Sequence, residues 1–269
     1  MTDRYAVIGH PISHSKSPLI HRMFAKQTGQ DISYEAIEAP LDGFAATIER
    51  LRKEGYKGCN VTVPFKFEAF NRATDLSERA RSAQAVNTLR FKNDLILGDN
   101  TDGAGLVRDI EHNQNFPLSG KRVLLMGAGG AAYGVALPLI SSGASLTVSN
   151  RTHEKAVQLA RHLQAHGVVE VLDVKASSVA TPFDCIINAT SVGLTDDLPE
   201  LPEGVFHAGS LAYDMVYSRE TKFMALAKSN GVKKIADGLG MLVEQAAEAF
   251  FIWRGVRPDT APVLAALRG

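Results

Sequence analysis

Short apolar runs alternate along this chain with longer stretches in which apolar residues recur every three or four positions. The runs fall at residues 5–9, 33–37, 59–63, 86–91, 95–97, 123–126, 145–149, 168–172, 184–188, 211–216 and 232–235. Brief runs bounded by turn residues predict strands. The periodic stretches predict helices at residues 19–27, 44–55, 104–112, 154–166, 223–229 and 241–253. In the second of these, Phe44, Ile48 and Leu51 form one stripe. A further helix opens at Pro64-Phe65-Lys66. Strand–helix alternation over most of the length predicts an α/β fold. Lys92-Asn93-Asp94, a turn-rich trio between two runs, predicts a hairpin.

Residues 122–152 carry the most specific local pattern. An apolar strand leads into Gly127-Ala128-Gly129-Gly130-Ala131-Ala132, a helix follows, and a second strand ends at Asn150-Arg151-Thr152. This is the first unit of a dinucleotide-binding sheet. Gly127 allows the tight turn, Gly129 lets the backbone approach a pyrophosphate, and Ala132 permits close packing of helix on sheet. The pyrophosphate is expected on the free N–H groups at the helix start. An NAD site places a carboxylate at the tip of the second strand, to hold a ribose hydroxyl. Here the tip is Asn150, Arg151 and Thr152, with Lys155 close behind. The planar guanidinium of Arg151 suits a 2′-phosphate, so NADP is the expected cofactor. The turn after the 184–188 strand, Ala189 to Gly193, is expected to line the same cleft, because ligands gather at the carboxyl ends of strands in open sheets.

Composition narrows the class. The 269 residues suffice for two domains, and 45% hydrophobic content supports real cores. With 29 basic and 29 acidic residues the formal net charge is +0, which argues against nucleic-acid and anionic-membrane partners. No apolar run approaches a membrane span, and no signal-peptide pattern opens the chain. Cys59 and Cys185 each adjoin an apolar run, so buried reduced thiols and a cytoplasmic location are expected. The eight histidines form no metal set; His162 and His166, four apart, lack further ligands.

Several polar residues stand where chemistry is possible. Ser15 and Ser17 precede a helix beginning at Pro18; on an extended segment both hydroxyls face one side, where they suit a carboxylate. Ser17 as a helix cap fits the spacing equally. Lys66 lies in a helical first turn, where the dipole disfavours its charge by roughly 0.3–1 kcal/mol, a useful bias for a proton-exchanging group. Asp102 fits both a cap and a carboxylate displayed at a cleft. Gln245 interrupts an apolar helix with an amide able to read hydroxyls.

Taken together, Ser15-Lys16-Ser17-Pro18, Asn60-Val61-Thr62-Val63-Pro64-Phe65-Lys66, Ala85-Val86-Asn87-Thr88, Gly98-Asp99-Asn100-Thr101-Asp102-Gly103, Gly127 to Ala131, Asn150-Arg151-Thr152, Asn188-Ala189-Thr190-Ser191, Tyr213-Asp214-Met215-Val216-Tyr217 and Asp237-Gly238-Leu239-Gly240-Met241 resemble the shikimate dehydrogenase family of the bacterial, NADP-dependent kind. The resemblance spans essentially the whole chain. It implies an N-terminal α/β substrate domain, residues 1–102 completed by 238–269, and a Rossmann-type NADP-binding domain, residues 103–237, with small residues near Gly103 and Gly238 at the crossings. It implies reversible reduction of 3-dehydroshikimate to shikimate, with Lys66 and Asp102 as the catalytic pair. By the same resemblance Ser15 and Ser17 hold the substrate carboxylate, and Thr62, Asn87, Tyr217 and Gln245 read the carboxylate and ring hydroxyls. Gly127, Ala128, Gly129, Gly130, Ala131, Asn150, Arg151, Thr152, Lys155, Thr190, Met215 and Gly238 are the expected cofactor contacts, and no metal is expected. A monomer or homodimer working on a small-molecule substrate fits. The alternatives are a quinate/shikimate dehydrogenase with relaxed cofactor use, and a non-catalytic NADP-binding sensor. Arg151 speaks against the first, and the retained Lys66/Asp102 pair against the second.

Overall fold

Two six-stranded sheets organise the protein, in a computed structural model that describes residues 2–190 and 200–269. The chain divides into one unit of Met1–Gly105 with Val243–Gly269 and another of Leu106–Leu242.

The first unit holds β1 (Asp3–Gly9), α1 (Ser17–Thr28), β2 (Ile32–Glu38), α2 (Phe44–Lys53), β3 (Gly58–Val61), α3 (Lys66–Arg72), β4 (Asp75–Leu76), α4 (Glu78–Ala83), β5 (Thr88–Lys92) and β6 (Leu95–Asp99). Its sheet order is β2-β1-β3-β5-β6-β4. β1 runs parallel to β2 and β3, whereas β5 pairs antiparallel with β3 and, through the predicted hairpin, with β6. Side chains of β1 alternate between two cores. Ala6 and Ile8 join Phe44, Ile48 and Leu51 of α2, while Tyr5 meets Trp253 with ring centroids 4.6 Å apart. Trp253 belongs to α9 (Leu239–Arg254), and its indole N–H donates to the Leu89 carbonyl at 3.0 Å. That helix end is thereby fastened to the first sheet.

In the second unit, β7 (Arg122–Met126), α6 (Gly130–Ser141), β8 (Ser145–Ser149), α7 (His153–Leu163), β9 (Glu170–Leu172), β10 (Cys185–Asn188), β11 (Leu211–Asp214), α8 (Lys222–Ser229) and β12 (Lys234–Ala236) form a wholly parallel sheet ordered β9-β8-β7-β10-β11-β12. This is the doubly wound order, whose direction reverses between β7 and β10. Helices cover both faces, so β7 alternates between two cores: Val123 and Leu125 enter one, Leu124 and Met126 the other.

Three local expectations change. The helix expected at 104–112 is α5 (Asp102–Arg108), followed by one wider turn, Asp109–Asn113. Ser17 does not cap α1; Lys16 holds the cap position with helical backbone angles, so residues 15–17 are not an extended segment. Two helices escaped the periodicity reading. α4 is too short to show a stripe and is set by the Ser77 hydroxyl, which accepts from the Ala80 N–H. α10 (Ala261–Arg268) opens with Pro262 in its first turn and buries Val263 and Leu264.

Candidate active site

Lys66 opens α3, and its backbone is fixed on both sides. Phe65 stacks on Phe44 with centroids 5.0 Å apart, and the Lys66 carbonyl accepts from the Val86 N–H at 2.9 Å. Asp102 opens α5; its backbone N–H donates to Asn100 Oδ1, and Asn100 in turn donates to the Ala85 carbonyl. These two anchors bring Lys66 Nζ to 2.6 Å from Asp102 Oδ2. Asn87 Nδ2 donates to Asp102 Oδ1 at 2.8 Å. Both carboxylate oxygens are therefore engaged by side chains. The Asp102 side chain is 8% exposed and that of Lys66 22%, so solvent reaches the pair mainly from the amine side. The carboxylate offsets the unfavourable helix-terminal setting of the ammonium.

Asn87 ties further neutral polar groups to the pair. Asn87 Nδ2 also lies 3.3 Å from Gln245 Oε1, and Thr101 Oγ1 is 3.3 Å from that same oxygen. Gln245 can come so near because position 105 is glycine: a Cβ there would lie 2.6 Å from the Gln245 backbone nitrogen. Thr62 follows β3, is half-buried, and its N–H donates to the Ile8 carbonyl at 2.9 Å. Ser15 Oγ accepts from the Ser17 N–H at 3.3 Å, so Ser15 takes the helix-start role expected of Ser17. Ser17 itself is buried.

The second unit carries the remaining candidates. Gly127 follows β7 at φ +109°, a conformation that favours glycine, and a Cβ there would meet the Ala189 carbonyl at 3.1 Å. Its turn therefore abuts the end of β10, at the reversal point of the sheet. Gly129 is exposed, has no protein atom within 4 Å of its absent Cβ, and is the uncapped N-cap of α6. Free N–H groups, an open approach and a helix N-terminus fit a dinucleotide pyrophosphate. Ala128 is buried, Gly130 and Ala131 are half-buried, and Ala132 is fully buried in the core, as close helix–sheet packing requires. Arg151, Thr152 and Lys155 are exposed at the tip of β8 and the start of α7, where Asn150 Nδ2 donates to the Thr152 carbonyl at 2.9 Å. Thr190 Oγ1 donates to Asn188 Oδ1 at 2.6 Å. Ser191 to Gly193 of the expected turn lie outside the described residues. Gly238 presses its α-carbon on the Met215 carbonyl, 2.1 Å from where a Cβ would stand. Tyr217 is half-buried, and burial raises its phenol pKa.

Sequence reading passed over several buried polar partners. Asn188 Nδ2 and Thr221 Oγ1 both donate to Asp214 Oδ2, at 3.1 and 2.6 Å. Tyr213 donates to the fully buried Asp109 at 2.6 Å. Tyr34, Asn60, Thr88 and Thr101 surround Asn87 or its neighbours. A polar residue in the middle of an apolar strand is the available signal for such groups, since a buried polar atom needs a partner. Which partner it takes is not local information.

Family models match three stretches: the shikimate dehydrogenase substrate-binding domain at residues 7–89, shikimate/quinate 5-dehydrogenase at 110–194, and the shikimate 5′-dehydrogenase C-terminal domain at 238–268. The chain is 59% identical to shikimate dehydrogenase (NADP(+)) of Methylobacillus flagellatus, over 99% of both chains. An Ael1 enzyme from Pseudomonas putida superposes with a TM-score of 0.94 at 49% identity, covering 99% of this chain and 98% of that one. Shikimate 5-dehydrogenase from Thermus thermophilus, solved with NADP(H) and shikimate, superposes with a TM-score of 0.88 at 33% identity over 99% of both. With the Rossmann order and the Lys66–Asp102 pair in place, the chain belongs to the shikimate dehydrogenase family.

Proposed function

We propose that this protein catalyses the reversible, NADPH-dependent reduction of 3-dehydroshikimate to shikimate, a step of aromatic biosynthesis. The contact between Lys66 Nζ and Asp102 Oδ2 at 2.6 Å carries the reading, because it joins a proton donor and an acceptor beside neutral hydroxyl-reading amides.

Bound NADPH supplies a hydride to the ketone carbon. Negative charge then grows on the ketone oxygen, and a proton must meet it within hydrogen-bond reach. Lys66 Nζ delivers that proton in reduction and recovers it in oxidation. Asp102 Oδ2 holds Nζ in place, and Asn87 Nδ2, bonded to Oδ1, keeps the carboxylate from turning. Ser15 and Ser17 hold the substrate carboxylate, and Thr62, Asn87, Tyr217 and Gln245 read the carboxylate and ring hydroxyls. A site built to bond hydroxyls strongly rejects analogues that leave its polar groups unpaired. Gly127 to Ala131 and the α6 N-terminus receive the pyrophosphate. Asn150, Arg151, Thr152 and Lys155 receive the adenosine phosphate, with Thr190, Met215 and Gly238 as further cofactor contacts. No helix among the described residues is long and apolar enough to cross a membrane, and a cytoplasmic monomer or homodimer completes the proposal.

The test follows cofactor reduction with shikimate or quinate, each with NADP or NAD. Shikimate with NADP should be fastest by a wide margin. Preference for quinate, or equal use of NAD, would replace this reading with the broader one, and no turnover with any pair would leave a cofactor-binding protein only.

A further inference from the structure

A row of polar side chains, buried except for the half-buried Tyr34, runs behind the reacting pair, and proton transfer at Lys66 does not itself require it. It starts on β2, where Tyr34 donates to Asn60 Oδ1 at 2.7 Å. That bond leaves the Asn60 amide one orientation. Its Nδ2 faces β5 and donates to the Asn87 carbonyl at 3.2 Å and to Thr88 Oγ1 at 3.0 Å. A hydroxyl that accepts on one side turns its only proton to another, and Thr88 Oγ1 donates to Asn87 Oδ1 at 2.9 Å. With Oδ1 so engaged, Asn87 Nδ2 points at Asp102 Oδ1, 2.8 Å away. Asn60, Thr88 and Asn87 are buried, so water does not substitute freely for any of these partners.

We propose that Tyr34, Asn60 and Thr88 are positioning residues: each fixes the donor–acceptor sense of the next, and the last fixes the amide of Asn87 so that it donates to Asp102. This deepens the proton-transfer reading above and rests on it. The row orients and does not conduct, because two of its members are amides, which do not pass protons along. A second bond, from the Thr101 N–H to Asn87 Oδ1 at 2.9 Å, supports the same orientation, so loss of one hydroxyl weakens the device without abolishing it.

The test is a double-mutant comparison. Thr88→Val keeps shape and removes the hydroxyl; it should lower kcat about tenfold while the KM for shikimate stays within about twofold. Thr88→Ser should restore most of kcat. In an Asp102→Asn background, read at high enzyme concentration, Thr88→Val should cost less than about twofold, because its effect passes through Asp102. A normal kcat for Thr88→Val, or the same loss in both backgrounds, would overturn the proposal. Should Thr88→Val not fold, Tyr34→Phe carries the same comparison. It keeps the ring stacked on His21, 4.1 Å between centroids, and should lose kcat a few-fold in the native background only. Equal loss in both backgrounds would again overturn it. An impaired Asp102→Asn beside a normal Thr88→Val removes only the positioning role. An undiminished Asp102→Asn removes the proton-transfer reading itself.

Discussion

Lys66 and Asp102 are 36 residues apart in the chain and 2.6 Å apart between Nζ and Oδ2. The antiparallel pairing of β3 with β5 and of β5 with β6 brings them together: Lys66 lies shortly after β3, Asn87 just before β5, and Asp102 shortly after β6. Three side chains of the site thus come from one end of three neighbouring strands.

Removal of the Lys66 amine should abolish most catalysis and little binding. Lys66→Ala should lower kcat by about 10²–10⁴-fold, the usual worth of a positioned acid–base group. Shikimate affinity measured by calorimetry should change only modestly. Turnover near that of the native protein would refute the role.

Ser15 and Ser17 should act on binding instead. The Ser15→Ala, Ser17→Ala protein should raise the dissociation constant for shikimate by at least about tenfold, as loss of hydrogen bonds to a charged group implies. Because Ser15 also accepts from the Ser17 N–H, a small fall in melting temperature should accompany it. Unaltered shikimate binding would dismiss the clamp.

Arg151 is exposed at the tip of β8, so its loss should leave the fold intact. Arg151→Ala should weaken NADP binding by about 10–100-fold, the range for a lost charge-assisted hydrogen bond, and leave NAD binding nearly unchanged. A parallel loss for both cofactors would place Arg151 elsewhere than at the 2′-phosphate.

Gly105→Ala tests the close approach of Gln245. The added Cβ would stand 2.6 Å from a backbone nitrogen, which no side-chain rotation relieves. We expect a stability loss of about 1–3 kcal/mol and a raised KM for shikimate. A variant with native melting temperature and native KM would contradict the packing.

His21 sets an acid limit. It is fully buried, both ring nitrogens lack a hydrogen-bond partner among the described residues, and burial lowers its pKa to about 3. The unfolded chain binds a proton near pH 6.5 and the folded one does not. The stability tied to neutral His21 is therefore complete above about pH 6.5 and declines by about 1.4 kcal/mol per pH unit as pH falls toward 3. His21→Phe should flatten the fall of melting temperature between pH 6 and pH 4 (roughly the window set by these values). An unchanged slope would show that other groups dominate acid unfolding.

The glycine turn between β7 and α6 was legible in sequence because its information is local. Gly127, Gly129 and Ala132 act through their own backbone conformation and the missing or small side chain, and the flanking strand and helix lie within a few residues. The β5–β6 hairpin was legible for the same reason. Short helices such as α4 were not, since six residues show no periodicity, and the cap on Ser77 depends on where β4 and β6 meet. The helix-start role fell to Ser15 because the backbone at Lys16 is helical, which spacing cannot reveal.

By itself the sequence determined the alternation of elements, the glycine turn, the cationic strand tip and the identity of the polar residues fit for chemistry. Only the tertiary structure decided which of those residues face each other. It turned Asp102 from a possible helix cap into the partner of Lys66, drew Gln245 across Gly105, and set the amide of Asn87 through Thr88. The physical reason is that local preference sets each backbone segment, whereas a buried polar group takes its orientation from partners that sheet pairing delivers from distant parts of the chain.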